Sequence, residues 1–175
     1  LAQALRGRRL EETHRYGKHL FVRLDNGRWL HLHFGMSGYL QYYRDPDDEP
    51  EHTRVLWRLA NGYHLAYAAA RMLGAVGVVD DVDAYVEHKG LGPDVLQTDW
   101  PTFWQALEGH RGMIKPTLMN QGILAGLGNV YVDEVLFQAG VHPETKVDEL
   151  SEDELHDLWD QIKRVIDVAL DHQAE

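Results

Sequence analysis

Two Asn-Gly turns constrain this chain more than any other feature of it. Asn26-Gly27 and Asn61-Gly62 each sit between short apolar runs, Leu20 to Leu24 with Trp29 to Phe34, and Val55 to Leu59 with His64 to Tyr67. Asn-Gly tolerates the positive φ of a tight hairpin turn, so each pair of runs reads as adjacent antiparallel strands. The stretch from Arg44 to Glu51 is acidic and interrupted by proline, which marks a solvated loop. After Asp80 the pattern turns helical. Trp100 to Leu107, Lys115 to Asn120 and Asn129 to Gln138 are candidate helices. Ser151 with Glu154 forms a capping box, followed by Leu155, Leu158, Trp159, Ile162, Val165, Ile166 and Ala169 at helical spacing, a stripe that belongs in a core. Strands followed by helices indicate an α+β protein. Gly90, Gly92 and Pro93 punctuate the change, which places the domain boundary at Gly90 to Gln97 and the domains at 1–90 and 91–175.

The 175 residues, 44% of them hydrophobic, suffice for one or two globular domains. No apolar run has the length of a membrane span or signal sequence, so a soluble, intracellular protein is expected. No cysteine is present, which excludes disulfides and thiolate zinc sites within these residues. The formal net charge of -11 argues against a nucleic-acid partner, because such proteins usually carry a basic footprint. Much of the acid is concentrated in Asp45 to Glu51, in Asp80 to Asp83 and around the last helix, leaving Arg6 to Arg9, Lys18, Arg54, Arg71, Arg111 and Lys115 to form a local basic face.

Gly126-Leu127-Gly128 stands directly before the helix that opens on Asn129, and Gly140 closes that helix. A helix start offers free N–H groups and a partial positive charge to a phosphate, and Asn129 adds an amide donor; glycine before a helix is also an ordinary way to begin one. Val130, Val135, Leu136 and Phe137 alternate with polar residues as on a half-buried helix. His31 and His33 share one strand face, and His52 lies beyond, but no carboxylate or third ligand stands at a persuasive spacing. No metal site is therefore assigned.

Taken in order, Gly17-Lys18, the HFGMSG run from His33 to Gly38, Arg71-Met72-Leu73-Gly74, LGPDVL from Leu91, Ile114-Lys115-Pro116 and the glycine–Asn129 segment resemble the formamidopyrimidine-DNA glycosylase and endonuclease VIII family, which repairs oxidised bases. The likeness runs from about Leu5 to Leu170. It implies the later strands of an N-terminal antiparallel β-sandwich followed by a helix–two-turns–helix DNA-binding domain, with damaged double-stranded DNA as partner and a monomeric state. The location would be cytoplasmic and nucleoid-associated in a bacterium, or nuclear in a eukaryote.

By this resemblance Lys18 lies close to the damaged nucleotide, with roles in phosphate binding and elimination. His52 matches a DNA-contacting histidine, and Arg54 stands where many members have a second histidine. An enzyme that extrudes a base must fill the vacated space. Met36, Arg71 and Leu73 match the residues that do so, Leu73 replacing the usual aromatic wedge. His110, Arg111 and Lys115 match a basic segment that grips phosphates. The family's loop begins with an acidic residue where this chain has Ala69, which questions how the loop is anchored.

The family's nucleophile is an N-terminal proline whose amine forms an imine with the sugar C1′, and the glutamate beside it helps to expel the base. Here the sequence opens Leu1-Ala2-Gln3, so the resemblance implies that this pair, and a C-terminal finger with four cysteines on zinc, lie outside the 175 residues. Oxidised purines such as 8-oxoguanine are the expected lesions, removed with β-elimination by the complete protein. These residues by themselves are expected to lack glycosylase activity and to need no cofactor. A DNA-binding or docking relative that kept the scaffold without its chemistry is the alternative, and a histidine–metal β protein a third.

Overall fold

The computed structural model describes residues 1–172. The chain forms two compact units, Leu1–Val82 and a second beginning at Asp83.

In the first unit a short helix α1 (Ala2–Leu5) precedes seven strands: β1 (Leu10–Tyr16), β2 (His19–Leu24), β3 (Trp29–His33), β4 (Tyr39–Tyr43), β5 (Thr53–Arg58), β6 (His64–Ala68) and β7 (Ala75–Val79). They form two antiparallel sheets, in the order β1-β2-β3-β7 and β4-β6-β5. The two Asn-Gly turns thus close hairpins in different sheets, with Gly27 at φ 81° and Gly62 at φ 82°. Strand alternation sends Leu24, Leu30 and Leu32 to one face of the first sheet, where they join Tyr67 and Ala69 of the second sheet's strand and its extension in one buried cluster. β1, β4 and β7 were not legible as strands, since β1 is LEETHRY and almost wholly exposed. The acidic loop is exposed, with a 3-10 turn at Pro46–Asp48 capped by Asp45.

The second unit contains α2 (Val82–Lys89), which begins on the last residue of the first, then α3 (Trp100–Leu107), α4 (Ile114–Met119), α5 (Asn129–Ala139) and α6 (Glu152–Asp171). α2 groups with the helices although the sequence boundary was drawn after it. Its tail explains why: Leu91 N–H returns to Val86 and Gly92 N–H donates to the Gln121 carbonyl, tying the segment to the α4–α5 loop. Phe103, Ile114, Leu118, Val132, Leu158 and Ile162 form the centre of its core. The Ser151–Glu154 capping box is present, and Leu155, Leu158, Trp159 and Ile162 are buried.

On α5 the apolar residues divide between two faces. Val130 and Phe137 are 74% and 77% exposed, whereas Val132, Val135 and Leu136 are buried. At 3.6 residues per turn, 132, 135, 136 and 139 share a stripe and 130, 133, 134 and 137 share the opposite one.

Candidate nucleic-acid interface

In the first unit, Lys18 occupies the turn between β1 and β2, preceded by Gly17 at φ 54°. The residue is exposed, yet partial desolvation lowers its ammonium pKa from the ordinary lysine value. His33, at the end of β3, is pushed down too, first by desolvation and then by the positive charge of Lys18. A neutral ring suits its hydrogen bond, in which Nδ1 accepts from Gly35 N–H at 3.2 Å. His19 and His31 lie on the same sheet face, their Nδ1 and Nε2 2.8 Å apart. His31 is 4% exposed, so it is a hydrogen-bonded core histidine. Among the described residues no three His, Cys, Asp or Glu side chains are grouped to hold a metal.

The HFGMSG segment and the loop after β6 are locked together by glycines. A Cβ on Gly35, which has φ 64°, would stand 2.7 Å from the Leu73 carbonyl carbon, and one on Gly74 would strike the Tyr67 hydroxyl and the His33 carbonyl. That hydroxyl donates to the same carbonyl at 2.9 Å. Only glycine lets the two backbones approach this closely. The consequence is that Met36 and Arg71 meet, with Arg71 Nη1 3.7 Å from Met36 Sδ. Met36, Met72 and Leu73 are 72%, 67% and 60% exposed, an unusual concentration of large apolar side chains in solvent beside a guanidinium. Met72 sits at φ 50° and His52 at φ 61°, positive values that are uncommon outside glycine and cluster at functional loops.

Arg54 takes up the anchoring that Ala69 does not supply. Its Nε donates to the Ala69 carbonyl at 2.9 Å and Nη2 to that of Ala70 at 3.4 Å, while Ala69 N–H donates to the His52 carbonyl. The sequence singled out both positions as departures without connecting them. They are fifteen residues apart and meet only because β5 and β6 are paired.

In the second unit, Gln121 builds the turn before α5. Its amide donates to the carbonyls of Met119 and Leu127, each at 2.9 Å, and its Oε1 accepts from Gly126 N–H at 3.0 Å. Gly128 caps α5 without a side-chain bond, leaving its first-turn N–H groups outside the helical ladder. Lys115 and Asn129 come together on Asp133, Lys115 Nζ at 2.6 Å from Oδ1 and Asn129 Nδ2 donating to Oδ2 at 3.3 Å. His110 and Arg111 belong to a different neighbourhood, a cleft shared with Trp104, Val147, Asp148 and Leu150.

Half of the basic residues expected to form a face are engaged. Arg8 and Arg9 lie 3.7 and 3.9 Å from Asp25, Arg54 holds loop carbonyls and Lys115 pairs with Asp133. The sequence assigns no bonding role to Gln121 or Asp133. Nothing local marks a glutamine or an aspartate as a partner of a turn or of a basic residue eighteen positions away.

Two family models divide the chain. One described as the formamidopyrimidine-DNA glycosylase N-terminal domain matches residues 1–76, and one described as the formamidopyrimidine-DNA glycosylase H2TH domain matches 90–175. The formamidopyrimidine-DNA glycosylase of Heliobacterium modesticaldum is 37% identical over 176 residues, covering 96% of this chain and 63% of that protein. That of Herpetosiphon aurantiacus is 33% identical, covering 99% of this chain and 64% of that protein. The chain therefore spans less than two thirds of the length of these relatives. A crystal structure of the Lactococcus lactis protein with DNA containing FAPY-dG superposes with a TM-score of 0.89 at 31% identity, over 97% of this chain and 65% of that one. The same protein bound to DNA with an abasic site gives 0.89 at 31% identity, over 97% and 64%.

Proposed function

Since the chain belongs to the formamidopyrimidine-DNA glycosylase family, we propose that it is the lesion-probing and phosphate-binding portion of a DNA repair glycosylase. The complete protein would excise oxidised bases, oxidised purines such as 8-oxoguanine foremost, and nick the abasic product by β-elimination. The imine with a proline amine is a step for the complete protein, and no residue among the 175 is assigned to it. Zinc in a four-cysteine finger likewise involves no residue here, because the chain contains no cysteine.

The convergence of Met36, Arg71 and Leu73 carries this reading. A flipped base leaves a hole that costs a few kcal/mol unless it is filled. Two apolar side chains held in solvent by a glycine-locked backbone, with a guanidinium between the loops, supply an apolar filler and hydrogen-bond donors for the orphaned partner base. Lys18, with its lowered pKa, would work at the sugar-phosphate of the lesion, more readily neutral than an ordinary lysine and so better suited to accept or pass a proton. His52 would contact DNA from the turn before β5, where its carbonyl accepts from Ala69 N–H. Lys115, Asn129 and the first turn of α5 would hold one stretch of phosphates, and His110 with Arg111 another.

Fluorescence anisotropy with two duplexes, one intact and one carrying a tetrahydrofuran abasic analogue, tests the proposal. The 175-residue chain should prefer the analogue, and Met36→Ser with Leu73→Ser should abolish that preference while leaving binding to intact duplex nearly unchanged. Equal binding to both duplexes by the unaltered chain would remove the lesion-probing role. For the complete protein, borohydride should trap a covalent adduct on lesion DNA, and no adduct would favour the scaffold-only alternative that Ala69 suggests.

A further inference from the structure

Lys115 and Asn129, two groups read above as phosphate donors, are already occupied by an oxyanion. Asp133 presents one carboxylate oxygen to each, Oδ1 at 2.6 Å from Lys115 Nζ and Oδ2 at 3.3 Å from Asn129 Nδ2. Its carboxylate is a chemical likeness of a phosphate edge: two anionic acceptors, one meeting an ammonium and the other an amide. Asp133 stands on the exposed stripe of α5 one turn beyond Asn129, and its side chain is 50% exposed, so it makes these contacts at the surface that a phosphate would approach. Lys115 is the second residue of α4, and its side chain is only 28% exposed.

We propose that Asp133 is an affinity-determining residue of this face, an internal stand-in for phosphate that holds Lys115 and Asn129 in the free protein and competes with DNA for them. The inference rests on the assignment of those two residues as phosphate donors. Asp133 keeps its place beside Lys115 in the complex, so an incoming phosphate meets a neutralised lysine and the repulsion of a nearby carboxylate. Weak non-specific grip is the expected result, which favours release from intact DNA and leaves discrimination to the loop of Met36, Arg71 and Leu73.

Counterion release gives a quantitative test, because a Lys–Asp pair with no net charge displaces no cation from DNA whereas an unpaired lysine displaces one. Binding of the 175-residue chain to a duplex with the abasic analogue would be titrated between roughly 50 and 200 mM KCl, a range over which phosphate contacts dominate the response. Asp133→Asn should bind more tightly at low salt, and the slope of log K against log salt should steepen by about 0.9. Asp133→Ser removes the same charge with a different side chain and should agree; circular dichroism identifies any variant that fails to fold. Adding Lys115→Met to Asp133→Asn should abolish the steepening. Unchanged slopes, or weaker binding by the folded single variants, would show that Asp133 only orients its partners and overturn the proposal. A folded wild-type chain with no salt-dependent binding would overturn the phosphate reading itself, a result distinct from the other.

Discussion

At the scale of single residues, chemistry here depends on neighbours that the sequence separates. His33 has its pKa lowered by desolvation and by Lys18, so Lys18→Met should raise it part of the way back, desolvation being the larger cause. A nuclear magnetic resonance titration of the His33 ring checks this, and an unmoved midpoint would mean that the lysine does not act on it. The same depression sets a pH effect on stability. The folded pKa lies below the unfolded value of about 6.5, so the unfolded chain binds more protons in the window beneath it. Stability from this group is therefore present above the unfolded pKa and lost as pH falls toward the folded one. Gly74→Ala is expected to force the Tyr67 hydroxyl from the His33 carbonyl and to destabilise the first unit by roughly 1–3 kcal/mol, read as a lower melting temperature. Gly-Lys and HFGMSG could be recognised from sequence because their residue types are contiguous. Arg54 could be recognised only as a departure, since its partners are backbone carbonyls, which no residue type announces.

At the scale of elements, short polar devices hold the pieces on which the site depends. Arg54→Met leaves the chain's thickness but removes both donations to the Ala69–Ala70 carbonyls. Hydrogen exchange of the Arg71 to Gly74 amides should accelerate, while exchange in β2 and β3 stays unchanged; uniform protection throughout would place the anchor elsewhere. Gln121→Leu deletes three bonds of the turn before α5 and should cost on the order of 1–3 kcal/mol, with DNA affinity reduced along with the melting temperature. Ser151→Ala should cost about 1 kcal/mol by removing the α6 cap and leave DNA binding intact. The start of α6 and the stop of α5 were legible because capping is local, as the Ser151 box and Gly140 at φ 66° illustrate, whereas α2 carries no such signal. The burial of α5 was not. Apolar residues occur on both of its faces, and only the packing of Val132, Val135 and Leu136 decides which face is inside.

At the scale of the whole molecule, a formal net charge of -11 would oppose the approach of DNA at long range, so under the proposed function affinity rests on local donors. No helix among the described residues is long and apolar enough to cross a membrane. The sequence by itself determined the order of the parts: hairpins at the Asn-Gly turns, helices from their periods and caps, an α+β chain and the family motifs in succession. These are consequences of local geometry, of which φ values a residue tolerates and which backbone groups its neighbours can satisfy. Tertiary structure alone decided the division of the strands into two sheets, the face that α5 buries, and the pairing of charges. Arg54 came to brace the loop that lacks an acidic residue, and Asp133 came to meet Lys115. Those contacts form between residues far apart in the chain, where strand pairing and core packing fix the distance and no sequence spacing encodes it.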